Sequence, residues 1–72
     1  MNAKEMFEKL GYKQVFYKSE IHYLCNVECI KFYLGFKQYV TTDKDGTENS
    51  WAITFEEHLA IHQQMKELGW IE

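Results

Sequence analysis

Apolar residues near the start of the chain recur with the spacing of an amphipathic helix. Four of them follow the i, i+3, i+4, i+7 series of one buried stripe: Ala3, Met6, Phe7 and Leu10. Asn2 is a good N-cap, and Glu5 stands three residues later, where its side chain can complete a capping box. The pattern therefore predicts a first helix of about two turns that begins after Asn2.

The middle of the chain changes to the alternating pattern of half-buried strands. Aromatic and β-branched residues favour strands over residues 12–18, 21–26, 28–34 and 37–42. Ser19-Glu20 is a plausible first turn, and Gly35 is expected to make a tight turn because glycine adopts positive φ without steric cost. The last hairpin has two candidate registers. A two-residue turn pairs Phe32 with Tyr39, and a three-residue turn pairs Ile30 with Val40.

A polar loop with Asp45-Gly46 at its centre occupies residues 43–50, and Trp51 and Ile53 could add a short extended segment. Thr54 and Glu57 then form a T-x-x-E capping box that opens a last helix. On a helical projection, seven side chains span an apolar half of this helix: Phe55, His58, Leu59, His62, Ile61, Met65 and Leu68. This arrangement predicts that both histidines lie in the middle of the buried arc, opposite a polar half that contains Glu57, Ala60 and Gln64.

The two helical segments end with the same phrase, Leu-Gly-aromatic, at residues 10–12 and 68–70. A glycine just past a helix adopts the left-handed conformation easily, and the following aromatic can fold back onto the last turn. We therefore predict one α+β domain over residues 1–72. It has an N-terminal helix, an antiparallel meander of three to four strands and a C-terminal helix, with both helices on one sheet face.

Composition narrows the classes of protein to which the chain can belong. The apolar fraction of 46% is ample for a packed domain and argues against disorder. The net charge of −3 lacks the basic excess of a sequence-independent nucleic-acid binder. The start of the chain is polar, and no apolar run approaches the length of a membrane span. We therefore expect a cytoplasmic protein with no membrane partner, and we do not expect nucleic acid as its main ligand.

Both ends of the chain carry a family resemblance. Residues 1–12, with Ala3-Lys4-Glu5-Met6-Phe7, and residues 53–70, with Ile53-Thr54-Phe55-Glu56-Glu57, resemble small uncharacterised proteins encoded by phages and prophages of low-GC Gram-positive bacteria. The resemblance implies an α-β-α arrangement and a cytoplasmic, phage-associated setting. It implies no activity and no catalytic residues, and Cys25, Cys29 and His62 fall outside its pattern.

Metal binding and thiol chemistry are the first candidates for chemistry. His58 and His62 have the i, i+4 spacing that lets two imidazoles share an ion, and His22, Cys25 and Cys29 could add ligands for zinc. The helical pair lacks the glutamate of H-E-x-x-H, because Leu59 occupies that position. We therefore favour hydrogen-bonded histidines and small apolar cysteines, and we predict no metal and no cofactor.

The two cysteines could also form a local disulfide. If residues 26–28 form a three-residue loop, Cys25 and Cys29 face each other across the strands. In a reducing cytoplasm we favour free thiols. A cysteine with His22 supplies at most two of the three groups that nucleophilic catalysis needs, so the sequence favours a protein that is not an enzyme.

The surplus of aromatic residues is the remaining clue to function. Alternation sends Tyr33 and some of Tyr17, Tyr23 and Tyr39 to the sheet face without helices, where they could bind a protein or stack on single-stranded bases. The alternative is ordinary cross-strand stabilisation. We predict a non-enzymatic phage or prophage accessory protein that binds a host or phage protein, with a homodimer as a further option. Single-stranded nucleic-acid binding and a small zinc domain are the alternatives.

Overall fold

Two capping boxes start the two helices of the protein. The computed structural model describes residues 1–45 and 52–71, and in it helix α1 spans Ala3–Lys9 and helix α2 spans Phe55–Glu67. Asn2 and Glu5 exchange side-chain-to-backbone hydrogen bonds at α1, and Thr54 and Glu57 do the same at α2. Each box satisfies two N–H groups that have no partner within the helix, so both predicted starts are confirmed.

Glycines end both helices as the repeated phrase predicts. Gly11 and Gly69 have φ values of 95° and 77°, in the left-handed region that glycine adopts without strain. The following amides close the last turns, because Tyr12 N–H donates to the carbonyl of Phe7 at 3.0 Å and Trp70 N–H donates to that of Met65 at 2.9 Å. These bonds define Schellman motifs, and they turn each aromatic ring back towards the core.

Between the helices, four strands form an antiparallel meander in the order β1-β2-β3-β4. The strands span Lys13–Tyr17, Glu20–Leu24, Glu28–Tyr33 and Gln38–Asp43. Tyr17 pairs with Glu20 across a two-residue turn, which lies one residue earlier than the predicted Ser19-Glu20 turn. The α+β architecture predicted from the sequence is therefore present, with four strands.

The hairpin of β3 and β4 adopts one of the two predicted registers. Phe32 pairs with Tyr39, and Tyr33 pairs with Gln38, so residues 34–37 form the connection. Within this connection Lys37 has a positive φ of 52° and Gly35 does not. The prediction that Gly35 supplies the positive φ is therefore wrong. The longer connection moves the left-handed residue to the position just before β4.

Both helices pack on the same face of the sheet. Phe7 of α1 stacks on Tyr23 of β2 with ring centroids 3.8 Å apart, and Gln64 of α2 accepts a hydrogen bond from the hydroxyl of the same tyrosine. The core also contains Ile21, Ile30 and Phe32, which point to this side by strand alternation. The opposite face carries no described helix, and we call it the open face.

Helix α2 is rotated relative to the orientation that its sequence predicts. Its buried residues are Glu57, Ala60, Ile61 and Gln64, whereas Phe55, His58, Leu59 and His62 are exposed. The prediction that His58 and His62 occupy the middle of the buried arc is wrong. Small residues explain part of the rotation, because Ala3 and Ala60 are both completely buried and allow the two helices to approach closely.

The last residues of the chain and the loop before α2 can also be compared with the sequence predictions. Trp70 packs against the core with its ring centroid 6.1 Å from that of Phe32, as its position after Gly69 predicts. The extended segment predicted at Trp51 and the part of the polar loop that begins at Gly46 lie outside the described residues. No helix within residues 1–45 and 52–71 is long and apolar enough to cross a membrane.

Candidate functional site

A buried polar network lies between the sheet and α2. The hydroxyl of Tyr12 lies 2.5 Å from Glu57 Oε2 and 2.7 Å from Glu28 Oε1. A phenol has one proton to donate, and Glu28 is only half-buried and keeps access to water, so we assign the donation to Glu57. Burial and the two carboxylates raise the pKa of Tyr12 well above its ordinary value, which keeps this tyrosine a neutral donor.

Glu57 keeps its charge although it is only 7% exposed. Burial alone would raise the pKa of this carboxyl group, but hydrogen bonds from the Thr54 backbone and from the Tyr12 hydroxyl outweigh burial and lower it. One carboxylate oxygen completes the capping box, and the other accepts from Tyr12. Glu57 therefore ties the start of α2 to the chain segment that follows α1.

A second chain of hydrogen bonds crosses the same interface. Gln14 Nε2 donates to the hydroxyl of Tyr23 at 2.9 Å, and that hydroxyl donates to Oε1 of Gln64. Every buried side-chain nitrogen or oxygen in the described part of the chain has a hydrogen-bond partner. The network is therefore fully satisfied, as a structural polar core requires, and it leaves no buried group aimed at a ligand.

Two of the candidate metal and thiol residues, His22 and Cys29, line the same depression on the open face, whereas Cys25 and the two α2 histidines lie elsewhere. Cys25 packs against the core on the helix side, whereas Cys29 lies on the open face, and both thiols are free. Cys29 pairs with Leu24, and Cys25 N–H donates to the carbonyl of Glu28, so the three-residue loop needed for a cross-strand disulfide does not form. Burial also raises the pKa of the Cys29 thiol, which makes it a poor nucleophile.

The two α2 histidines stand apart from the cysteines. The rings of His58 and His62 are 6.4 Å apart on the solvent side of α2. Within residues 1–45 and 52–71, no group of three or more His, Cys, Asp or Glu side chains lies close enough together to hold a metal ion. The spacing that suggested a zinc site therefore corresponds to an exposed pair of rings.

The four candidate tyrosines divide between the two faces of the sheet. Tyr17 and Tyr33 lie on the open face, and the Tyr17 ring packs on His22 with centroids 4.4 Å apart. Tyr23 is completely buried in the core, and Tyr39 lies on the helix side beside Phe32. Only two of the four tyrosines are therefore placed for recognition on the open face.

The open face contains a shallow depression of about 290 Å³ next to Tyr17. Lys31 and Lys44 line it together with His22, and Asp45 contributes the opposite charge. His22 Nε2 lies 2.7 Å from Glu20 Oε1, which orients the imidazole ring. The depression is polar and mixed in charge, so it offers moderate attraction for an anion.

The exposed side of the helix pair carries the surface that sequence reasoning missed. We define the helix patch as five apolar residues in or next to the two helices: Met1, Met6, Leu10, Phe55 and Leu59. Four of them surround a groove of about 190 Å³ whose remaining lining residues are Lys9 and Glu56. Phe55, one turn before Leu59, is 68% exposed, and Leu59 is 42% exposed. Of the apolar half predicted for α2, Phe55 and Leu59 face solvent together with the two histidines, whereas Ile61, Met65 and Leu68 pack on the core as predicted.

Comparison with known protein families, characterised proteins and solved structures found no match for this chain. The geometry of the described residues is therefore the basis for the functional proposal.

Proposed function

We propose that the protein is a non-enzymatic module that binds another protein through the helix patch. The observation that carries this proposal is the pair of exposed apolar residues on α2: Leu59 lies beside Met1 and Leu10 in the groove, and Phe55 stands one turn before Leu59 on the helix. Contiguous apolar surface on a small soluble domain marks an interaction site, because its exposure to water is unfavourable. The sequence resemblance adds the expectation of a host or phage protein as partner and of a cytoplasmic location.

The placement of the titratable groups supports a binding role over a catalytic one. Glu57 and Tyr12 are engaged in capping and in a satisfied core network. Burial raises the pKa of the Cys29 thiol and so disfavours the reactive thiolate, although His22, oriented by Glu20, lines the same depression on the open face. The polar groups of the described core thus have structural roles, whereas four of the five helix-patch residues (Met1, Leu10, Phe55 and Leu59) are exposed and only Met6 also packs against the core.

Site-specific photo-crosslinking tests the proposal with a matched pair of positions. Benzoylphenylalanine replaces Phe55 on the helix patch in one variant and Tyr17 on the open face in the other, since both are exposed aromatic side chains. We expect irradiation in cells to attach a defined protein to position 55 and not to position 17. Crosslinks from position 17 alone would assign the interface to the open face. The absence of crosslinks from both positions would refute protein binding.

A binding measurement then quantifies the contribution of the helix patch. With the crosslinked protein purified, isothermal titration calorimetry compares the original chain with Leu59→Ser and with Tyr33→Ser as the control. We expect Leu59→Ser to weaken binding by roughly tenfold or more, as for a central apolar anchor, and Tyr33→Ser to leave it unchanged. Equal affinities of all three chains would contradict the assignment of the surface.

Single-stranded nucleic acid on the open face is the second candidate function. The specific observation in its favour is that Lys31 and Lys44 border the Tyr17–His22 ring pair. Lys4 and Lys9 do not add to the positive charge of this face, because both belong to α1 on the other side of the sheet. A mobility shift of a single-stranded oligonucleotide at low salt, lost in Lys31→Glu, would support this function, and no shift would exclude it.

A further inference from the structure

We propose that the helix patch binds a second copy of this chain, through a two-fold axis that runs along the groove between α1 and α2. This inference rests on the proposed function and names the partner. In a two-fold dimer of this kind, α1 of each copy lies on α2 of the other, so the same surface must be complementary to itself.

The charges on the two sides of the groove meet this requirement. Lys9 lies on the α1 side and Glu56 on the α2 side, and both line the same end of the groove. Neither residue makes an ion pair within the described part of the chain. A two-fold axis along the groove brings Lys9 of each copy opposite Glu56 of the other, and it creates two identical opposite-charge contacts at the edge of the apolar contact.

The direction of the helices agrees with the same axis. The amide of Ala3 donates to Glu67 Oε2 at 2.7 Å, so the start of α1 lies beside the end of α2 and the two helices are antiparallel. Rotation about an axis along the groove preserves this direction, and each helix then lies antiparallel to its neighbour in the second copy. An axis across the groove would instead place α1 on α1, without the pairing of Lys9 and Glu56.

The size of the patch indicates a weak dimer. The chain exposes 4895 Å², and a standard interface takes about 800 Å² from each partner, roughly a sixth of this surface. With seven residues in α1 and 13 in α2, the helices offer contact lengths of about 10 Å and 20 Å. The contact therefore falls at or below the standard size, and a domain with so small a core gains stability from such an association.

A charge-exchange experiment distinguishes this dimer from other modes of association. Lys9→Glu gives a chain with two anions at the groove, and Glu56→Lys gives a chain with two cations. Each variant alone places like charges opposite each other, whereas an equimolar mixture restores both attractive contacts. We expect analytical ultracentrifugation to find the original chain at twice its 8.7 kDa mass at high concentration, each variant monomeric, and the mixture dimeric.

Leu59→Ser provides a second test that changes no charge, and we expect it to raise the dimer dissociation constant by roughly tenfold. Circular dichroism of every variant confirms that the fold is retained. An original chain that stays at 8.7 kDa at all concentrations would overturn the second-copy proposal, and so would a mixture no more associated than its components. If position 55 still crosslinks to a different protein, the proposed function survives and only the identity of the partner is overturned.

Discussion

The buried face of α2 contains polar residues, and its exposed face contains large apolar ones. The face towards the sheet contains Glu57 and Gln64, which are 7% and 4% exposed. The face towards solvent contains Phe55 and Leu59, together with two histidines. The difference shows that the orientation of α2 depends on hydrogen-bond partners and small contact residues as well as on the burial of apolar side chains such as Ile61.

The tyrosines of the core explain why the polar face is buried. Tyr12 and Tyr23 bring hydroxyl groups into the interface, and a buried hydroxyl without a partner is costly. Glu57 and Gln64 supply the acceptors, and Ala60 between them lets α2 approach α1. Rotating α2 to bury Phe55 and Leu59 would remove both acceptors from the tyrosines.

Glu57→Ala is expected to have the largest effect on stability. It removes the glutamate half of the α2 capping box and the Tyr12 hydrogen bond that ties α2 to the chain segment after α1. Glu28 is then the only acceptor left for that hydroxyl among the described residues, and together these losses cost about 3 kcal/mol of unfolding free energy. Urea denaturation followed by circular dichroism measures the change. The control is Glu56→Ala at the neighbouring exposed position, for which we expect about 0.5 kcal/mol or less. Similar losses for both variants would mean that Glu57 is not buried.

Breaking the Tyr23–Gln64 hydrogen bond is expected to lower stability by a smaller amount, and a double variant that removes both groups should recover part of the loss. Gln64→Leu leaves the Tyr23 hydroxyl without its acceptor and should cost about 2 kcal/mol. Adding Tyr23→Phe removes the donor, so the double variant should be more stable than Gln64→Leu alone. Purely additive losses in the thermodynamic cycle would show that the two side chains do not interact.

Acid is expected to weaken the network through Glu57. The pKa of this carboxyl group is lowered in the folded chain, so its ionised form adds stability above its ordinary value of 4.5. That contribution is lost as the pH falls below 4.5 and through the lowered pKa. Urea midpoints measured from pH 6 to pH 3 should therefore fall, and Glu57→Gln should flatten the decline. An unchanged slope in Glu57→Gln would assign the acid sensitivity to other groups.

Substitution on the exposed face is expected to change stability least. Phe55→Ser removes a largely exposed ring, so the free energy of unfolding of the monomer should change by about 0.5 kcal/mol or less. Binding at the helix patch should nevertheless weaken. A loss of stability comparable to that of Glu57→Ala would place Phe55 in the core and remove the basis of the proposed surface.

Local features of the fold were predictable from the sequence because their signals lie within a few residues. The capping boxes involve residues three apart, and the terminating motifs depend on the glycines at positions 11 and 69. The meander follows from alternation and short connections. The register of Phe32 with Tyr39 was one of two options, and the four-residue connection with Lys37 at positive φ decided it.

The orientation of α2 was not predictable in this way, because its determinants are distant in sequence. The partners of Glu57 and Gln64 are Tyr12 and Tyr23, which lie 45 and 41 residues away. One signal was available, since Glu57, Ala60, Ile61 and Gln64 also follow helical spacing and include a small residue. Hydrophobicity alone favours burial of the stripe that contains Phe55 and Leu59 over this one. The sequence therefore did not predict that Phe55 and Leu59 form an exposed surface.

A matched pair of alanine substitutions tests the orientation of α2 most directly. Gln64→Ala and Leu59→Ala lie on opposite faces of the helix, and urea denaturation at concentrations where the chain is monomeric compares them. We predict a loss of about 2 kcal/mol for Gln64→Ala and about 0.5 kcal/mol or less for Leu59→Ala. The reverse order, with Leu59→Ala costing about 3 kcal/mol as a core leucine does, would contradict the account.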